Sequence, residues 1–392
     1  MKRAEGAAFV ATLGALLAVT ATSVDIMIPA QPSIARAFDM TESAGAALVG
    51  TFSIGYGVGQ MMWGPLSDRF GRLPVLYVAL AGFIIAGAVC ALTGSFATLL
   101  IARFAQGFMG GAGPTLARAI SRDLGGGTRT AQALSAATVF LGGAPLLAPL
   151  GASGILVIGD WRWIFWTLVI FGGLVVLSAL LFVPETHPPE KRSAPSLRQM
   201  GRDTRQLLVT PGFLYGTAII MAVFFGYMAL LGVGSAVTES TYGLPATLFG
   251  PLFSINAVAF IIGATGANRL AGRYGISAVI RAGSLIAGAA GIFLLTLSVM
   301  TPPLALLWSG VVIFQLSFGT LLALCTARAL EPAGRIAGTA SSVMGLVQTL
   351  LSASGAFVAA GLFDGSHRSL CWIMGAAGIL TFLLWVKGRK YL

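Results

Sequence analysis

Apolar segments long enough to cross a lipid bilayer recur from one end of this sequence to the other. A transmembrane helix needs about 20 mostly apolar residues. Only 9% of the 392 residues are charged, far below the ~25% of a soluble domain. The segments of spanning length are 7–35, 44–64, 73–93, 96–117, 131–155, 161–183, 211–234, 246–267, 276–299, 303–327, 337–361 and 368–387. We therefore predict an all-α integral membrane protein with twelve transmembrane helices.

The basic residues are divided unevenly between the two sides of the predicted membrane. Of the 24 Lys and Arg residues, 20 lie at the termini or in the loops on the same side as the termini. Three lie in the opposite loops, Arg36, Arg162 and Arg368, and Arg103 lies inside a span. Loops rich in Lys and Arg stay in the cytoplasm. We therefore expect a multi-pass protein of the cytoplasmic (inner) membrane with both termini cytoplasmic, and we interpret the net charge of +11 as a topology signal, not as a nucleic-acid site.

A polar, basic and proline-bearing stretch at 184–210 divides the chain into an N-terminal half, 1–183, and a C-terminal half, 211–392. Each half holds six predicted spans. The sequence GPLSDRFGR at 64–72, after the second span, is echoed by ANRLAGRYG at 267–275, after the eighth. Two related halves are typical of secondary transporters, which bind their substrate between the halves. We predict that 184–210 is a cytoplasmic linker between two pseudo-symmetric six-helix halves.

Several motifs resemble those of the major facilitator superfamily, and the loop at 64–72 is the most specific of them. Further motifs resemble the twelve-helix drug:proton antiporters, and a third set resembles their bicyclomycin- and chloramphenicol-resistance (Bcr/CflA) subgroup. The antiporter-like motifs are Asp25 with Pro29 and Pro32, RFAQG at 103–107 and APLLAP at 144–149; the subgroup-like motifs are WRWIF at 161–165 and PETHPPE at 184–190.

The resemblance implies a proton-coupled exporter of lipophilic small molecules that works by alternating access. It also implies that the loop at 64–72 is a conformational latch, and that the fifth span carries a helix-kinking antiporter motif which seals the cavity. The latch residues are Gly64, Asp68, Arg69, Gly71 and Arg72, and the residues of the helix-five motif are Pro145, Pro149 and Gly151. The same fold also serves exporters or importers of a specific metabolite, peptide or organic anion, and this alternative stays open.

Asp25 and Arg103 are the two ionisable residues that the sequence places deep inside spans. Such residues are costly in a bilayer, and they usually face a cavity or a partner on an ion pathway. One hypothesis is that Asp25 is the proton-coupling carboxylate, with Arg103 and Gln106 at the substrate site. The other is a buried Asp25–Arg103 ion pair that only holds the first and fourth spans together. Pro29 and Pro32 should loosen the outer end of the first span.

A multidrug site needs apolar and aromatic walls with a few oriented polar groups. Candidate cavity-lining residues within the predicted spans are Tyr56, Phe224, Phe225, Tyr227, Asn256 and Gln315.

The four lysines lie at the termini or in the linker, and none completes a phosphate-binding GK[ST] loop. The two histidines, His187 and His367, have no neighbouring cluster of metal ligands. We therefore expect no cofactor and no enzymatic activity. The expected partners are a drug-like small molecule, protons and membrane lipids, and because the predicted cavity lies within one chain we expect a monomer. A lipid-modifying enzyme or a non-transporting scaffold would need a catalytic pair or an extramembrane domain, and the sequence shows neither.

Overall fold

The computed structural model describes residues 7–123, 145–188, 190, 197–332 and 337–392, and within these ranges the chain is helical without a strand. The α-helices are α1 (Ala7–Asp25), α2 (Gln31–Ala37), α3 (Ala46–Phe70), α4 (Arg72–Leu92), α5 (Phe96–Gly110), α6 (Ala112–Asp123), α7 (Pro145–Ile158), α8 (Arg162–Phe182), α9 (Leu197–Leu208), α10 (Pro211–Tyr242), α11 (Ala246–Tyr274), α12 (Ile276–Leu297), α13 (Leu304–Leu330), α14 (Ala337–Gly361) and α15 (Arg368–Gly388). The prediction of an all-α membrane fold is confirmed.

Within the described ranges, nine helices are long and apolar enough to cross a membrane. The other three predicted spans, as far as the described residues cover them, are helical but do not meet that description. The span predicted at 44–64 is α3, whose glycines and polar residues lower its hydropathy. The span predicted at 96–117 is divided at Gly111 into α5 and α6. The span predicted at 131–155 lies partly outside the described residues, and α7 covers its end.

The buried apolar side chains form two cores. One core is built from side chains between Phe9 and Val183, and the other mainly from side chains between Leu207 and Leu392. Ile28 and Val49 from the first half join the second core. The first half therefore reaches into the second through the break after α1 and the start of α3.

The turn between α3 and α4 recurs between α11 and α12. Gly71 and Gly275 occupy these turns with φ of 98° and 83°, a backbone conformation that side-chain-bearing residues rarely adopt. Each donates its N–H to a carbonyl four residues earlier, at Ser67 and Ala271. The repeat seen in the sequence is thus a repeat of backbone geometry.

The first span is broken near its middle. Helix α1 ends at Asp25, a short 3₁₀ turn covers Ile28–Ala30, and α2 begins at Gln31. Pro29 lies in the 3₁₀ turn and Pro32 in the first turn of α2, where a missing N–H is tolerated. The break places the Asp25 carboxyl at a helix end, next to the other half.

The two halves meet at the end of the bundle that carries Arg36, which we call the Arg36 end. There Arg36 Nη1 lies 2.5 Å from Glu239 Oε1, and Gln31 Nε2 donates to the Leu231 carbonyl at 2.7 Å. Glu239 is thus an interhelical partner. The opposite end of the bundle, which carries the turn between α3 and α4, is the Arg72 end.

Two further helix pairs join the halves. Helix α7 packs on α11, where the Gly250 N–H donates to Ser153 Oγ at 3.0 Å and Ser254 Oγ donates to the Leu146 carbonyl at 3.2 Å. Helices α3 and α14 also run against each other. A Cβ added at Gly50 would lie 2.3 Å from the Phe357 ring, so this contact depends on a glycine.

Candidate functional site

Asp25 lies at the interface of the two halves, where its carboxyl is almost completely buried, with 3% of the residue exposed. The Tyr227 hydroxyl of α10 donates to Asp25 Oδ1 at 3.5 Å. This contact joins α1 of the first half to α10 of the second. Within the described residues, no other acidic side chain is buried. A change in the charge of Asp25 therefore acts directly on the contact between the halves.

Arg103 is completely buried, with 0% exposed, and its guanidinium binds three neutral acceptors. Nε donates to the Leu48 carbonyl at 3.3 Å, Nη1 to Gln106 Oε1 at 2.8 Å and Nη2 to the Ser23 carbonyl at 3.2 Å. Its Cζ lies 4.3 Å from the ring centroid of Phe52, within the range of a cation–π contact. Arg103 thereby connects α5 to α1 and α3.

The ion pair considered between Asp25 and Arg103 is not formed in this structure. Among the described residues, no carboxylate lies within 4.0 Å of the Arg103 guanidinium. Arg103 instead holds the carbonyl of Ser23, two residues before Asp25. Gln106 accepts from the guanidinium, and its own Nε2 is buried without a partner in the described structure. Gln106 thus positions Arg103, and Arg103 holds the α1 backbone two residues before Asp25.

An aromatic cluster on the second half surrounds Tyr227. The Phe318 ring of α13 lies 4.8 Å from Phe224, 5.1 Å from Tyr227 and 5.1 Å from Phe260, measured between centroids. Phe224, Tyr227 and Phe260 are only partly buried. The sequence indicated Phe224 and Tyr227 but missed Phe260 and Phe318, because phenylalanine inside an apolar helix carries no signal that separates packing from binding.

The remaining cavity candidates have different surroundings. Tyr56 is half-buried on α3, and its hydroxyl accepts from Gln60 Nε2 at 2.5 Å. Phe225 packs against α14, where a Cβ at Gly355 would meet the Phe225 carbonyl oxygen at 2.3 Å. Phe225 therefore serves helix packing in this conformation.

Asn256 of α11 and Gln315 of α13 are buried, with 0% and 2% exposed. The amide atoms Nδ2 and Oδ1 of Asn256 and Oε1 of Gln315 have no hydrogen-bond partner among the described residues.

The loop between α3 and α4 is organised around Arg72. Its Nη1 lies 2.5 Å from Asp68 Oδ1 and donates to Ser67 Oγ at 2.7 Å, while Nε donates to Asp123 Oδ2 at 2.8 Å. Only 4% of the Arg72 side chain is exposed. All these groups belong to the first half, so in this conformation the cluster fastens α3 to α4 and α6 and does not cross to the second half.

Glu185, which follows α8, caps the start of α4. Its two carboxylate oxygens accept the backbone N–H groups of Arg72 at 3.1 Å and Leu73 at 3.0 Å. A carboxylate there also complements the positive end of the helix dipole. Asp68 lies in the last turn of α3 and binds the Arg72 side chain.

The other latch candidates contribute little to this cluster. The Arg69 guanidinium stacks on the neighbouring Phe70 ring at 5.2 Å. A Cβ at Gly64 would meet only the Thr115 methyl, at 3.7 Å, so this position tolerates a side chain.

The helix-five motif lies where α7 contacts α11. A Cβ at Gly250 would lie 2.3 Å from the Pro149 carbonyl oxygen, so the two backbones touch. Pro145 begins α7. Gly151 is exposed, and nothing lies within 4 Å of a Cβ placed there; the close packing expected at this glycine is absent. Gly142, Gly143 and Ala144 lie outside the described residues.

A family model described as Major Facilitator Superfamily matches residues 12–360. An uncharacterized MFS-type transporter, YdgK of Bacillus subtilis, is 31% identical over 86% of this chain and 85% of its own length. The bicyclomycin resistance protein homolog of Haemophilus influenzae is 28% identical, with 96% and 94% covered. Multidrug resistance protein D of Escherichia coli is 29% identical, with 98% and 97% covered.

Solved structures show the same fold. The xylose transporter XylE of Escherichia coli, in a partially occluded inward-open conformation, superposes with a TM-score of 0.70 over 97% of this chain and 96% of that one. The two sequences are 19% identical. The likeness therefore concerns the arrangement of the helices and says nothing about what is carried.

Proposed function

Because the chain belongs to the Major Facilitator Superfamily and is a multi-pass membrane transporter of small molecules, we propose that it exports lipophilic compounds in exchange for protons. The transport is by alternating access across the cytoplasmic membrane, and both termini are cytoplasmic. The names of two relatives, a bicyclomycin resistance protein homolog and multidrug resistance protein D, support efflux as the direction.

The observation that carries this proposal is the placement of Asp25. Its carboxyl is buried at the end of α1 and bonded to Tyr227 across the interface between the halves. A carboxyl in a dry site takes up a proton, and hydration favours its release. A rocking motion that opens and closes this interface changes the hydration of Asp25, so proton binding and the conformational change are coupled.

The substrate site adjoins the proton site. Tyr227 contacts both Asp25 and the ring of Phe318, so a molecule that stacks on the aromatic cluster reaches the hydroxyl that binds the carboxyl. In the proposed cycle the substrate binds between the halves from the Arg72 end and displaces the proton from Asp25. The halves then rock, the Arg36 end opens, and reprotonation of Asp25 releases the substrate on the outer side.

The closed contact at the Arg36 end fits the first step of this cycle. Arg36 and Glu239 join α2 to α10, and Gln31 binds the Leu231 carbonyl. With both termini cytoplasmic, this end faces outward, and it is closed in this structure. The cluster of Arg72, Asp68 and Asp123 then belongs to the inner side, where we propose that it joins the second half when the protein opens outward.

The burial and hydrogen bonding of Arg103 favour proton coupling over the transport of an organic anion. A carrier that binds an anion at Arg103 needs free guanidinium N–H groups facing the cavity. Here Arg103 is completely buried, and its three nitrogens each donate to a protein acceptor. Its role in the proposed cycle is to hold the Ser23 carbonyl and hence the end of α1 that carries Asp25.

The experiment that tests the proposal is proton movement in inside-out vesicles energised with a pH gradient. Chloramphenicol-type, cationic and zwitterionic compounds are added to wild type, to Asp25→Asn and to the control Asp160→Asn, which removes a half-exposed carboxylate. We expect a transported compound to collapse the gradient with wild type and with the control but not with Asp25→Asn. Equal proton movement with Asp25→Asn would overturn the role of Asp25.

A further inference from the structure

Asn256 and Gln315 of the second half are buried amides that have unpaired atoms in the described structure. The Asn256 side chain is completely buried, yet neither its N–H₂ group nor its oxygen has a partner among the residues that the structure describes. The buried Gln315 oxygen also lacks one. Buried polar groups are nearly always paired, and leaving one unpaired costs more than the bond would have gained. Asn256 and Gln315 are thus two buried amides whose partner the described residues do not supply.

The helix geometry puts the two amides next to each other. Asn256 precedes Phe260 by four residues on α11, and Gln315 precedes Phe318 by three on α13, so each amide shares a helix face with its phenylalanine. The Phe260 and Phe318 rings lie 5.1 Å apart. Helices α11 and α13 run in the same direction, so the amides lie side by side, one turn nearer the Arg36 end than the rings.

The amides and the rings differ in exposure. Phe260 and Tyr227 are partly exposed, whereas Asn256 and Gln315 are buried beyond them, toward the closed end. Along α11 and α13 from the Arg72 end, the aromatic rings therefore come first and the two amides one turn later. Asp25 is connected to these rings because it binds Tyr227, which contacts Phe318.

The chemistry of the two amides defines what they can bind. A carboxamide side chain offers both donors and an acceptor and carries no charge. Neither amide supplies an opposite charge to an ion. The complementary group is thus uncharged and both donates and accepts, as an amide does.

We propose that Asn256 and Gln315 form a recognition subsite for an uncharged, amide-like group carried on a planar apolar ring. This inference rests on the proposed function and names the substrate class of the same site. The ring stacks on the cluster of Phe224, Tyr227, Phe260 and Phe318, and the amide-like group pairs with the two side chains when the halves close around the substrate.

The test uses two probes of equal size, 1-naphthamide and 1-acetonaphthone, which lacks the N–H donors. Their dissociation constants are measured by equilibrium dialysis with the purified full-length protein. We expect wild type to bind the amide about tenfold more tightly, the effect of about one well-made hydrogen bond. Asn256→Leu and Gln315→Met keep the side-chain size and should bind both probes equally. Gln315→Met removes only an acceptor and should leave the affinity for the ketone unchanged, whereas Asn256→Leu should also weaken ketone binding, because the ketone oxygen can accept from Asn256 Nδ2.

The control is Ser284→Ala. Ser284 lies on α12, is completely buried and also has an unpartnered hydroxyl in the described structure, but it is outside the aromatic cluster. This variant should keep the tenfold preference. A preference that is lost equally in the control, or wild-type protein that binds the ketone as well as the amide, would overturn the proposal. Tighter binding of 1-naphthoate would do the same and would favour an anion carrier.

Stability separates recognition from a structural role. If the amides are paired only when a substrate is bound, Asn256→Leu should melt at the wild-type temperature or above, because it removes an unpaired polar group. A large drop in melting temperature would show that bound water pairs the amide permanently and would refute the subsite. Binding is measured without a proton gradient, so a preference for the amide stands even if the vesicle assay shows no proton movement.

Discussion

Gly107, the last residue of the RFAQG motif, controls the distance between α3 and α5. A Cβ at this position would lie 2.0 Å from the Phe52 carbonyl oxygen, whereas carbon and oxygen atoms normally approach to about 3.3 Å. The alanine variant must therefore move the helices apart by about 1.3 Å. Arg103 Nε already lies 3.3 Å from the Leu48 carbonyl, one turn along both helices, so this hydrogen bond breaks.

The expected cost of Gly107→Ala has two parts. Overpacking between well-fitted helices costs about 1–3 kcal/mol, and the loss of a hydrogen bond to a charged group costs about 1.5–3 kcal/mol. Together they give roughly 2.5–6 kcal/mol, which for a chain of this length lowers the melting temperature by about 3–7 °C.

Thermal unfolding can be followed with a thiol-reactive fluorescent maleimide, because the free cysteines are buried and become reactive only on unfolding: Cys90, Cys325 and Cys371. The matched control is Gly151→Ala, where nothing lies within 4 Å of the added Cβ. It should be neutral or should stabilise by up to about 1 kcal/mol, because alanine is the better helix former. Melting of Gly107→Ala within 1 °C (about one kcal/mol) of the control would refute the argument from close approach.

The ion pair at the Arg36 end should bias the halves toward the closed arrangement. Because Arg36 is half-exposed, the pair contributes at most about 1 kcal/mol, so Arg36→Glu should change the ratio of the two conformations, and the export rate, by up to about fivefold. Exchanging the two charges, with Arg36→Glu and Glu239→Arg together, should restore the rate. At the Arg72 end, Arg72→Met leaves Asp123 without its cationic partner and with only the Thr186 hydroxyl, and it should lower the free energy of unfolding by about 3 kcal/mol. Asp68→Asn, at a half-exposed carboxylate, should cost less than about 1 kcal/mol, and thermal unfolding measures both effects.

A surface ion pair within one half provides the control for both experiments. Arg162 Nη1 lies 2.9 Å from Asp160 Oδ2, and both side chains are about half-exposed. Reversing Arg162 to Glu should leave the export rate and the melting temperature unchanged. An equal effect at this pair would mean that the ion pair between the halves influences transport no more than an ion pair within one half.

The principal site residues could be predicted because they break an apolar pattern. Asp25 and Arg103 are charges inside spans, and a charge there has few explanations. The turn at Gly71 could be predicted because its loop motif has a counterpart in the second half, and both turns have the same backbone geometry. Phe260 and Phe318 could not be found, since an apolar residue in an apolar helix breaks no pattern. Glu185 was quoted in a motif, but its role as a cap depends on α4 lying beside it.

The sequence by itself determined the all-helical membrane class, the succession of spans and the two charges inside them, because these follow from the free energy of placing each residue in hydrocarbon. Tertiary structure decided how the charged and polar groups are partnered. Arg103 binds backbone carbonyls of α1 and α3 and not Asp25, Glu239 meets Arg36, and the buried amides of Asn256 and Gln315 have atoms without a partner in the described structure. Partners 55 to 203 residues apart are set by which helix faces pack together, and that depends on close backbone contacts at single glycines, which local sequence patterns do not encode.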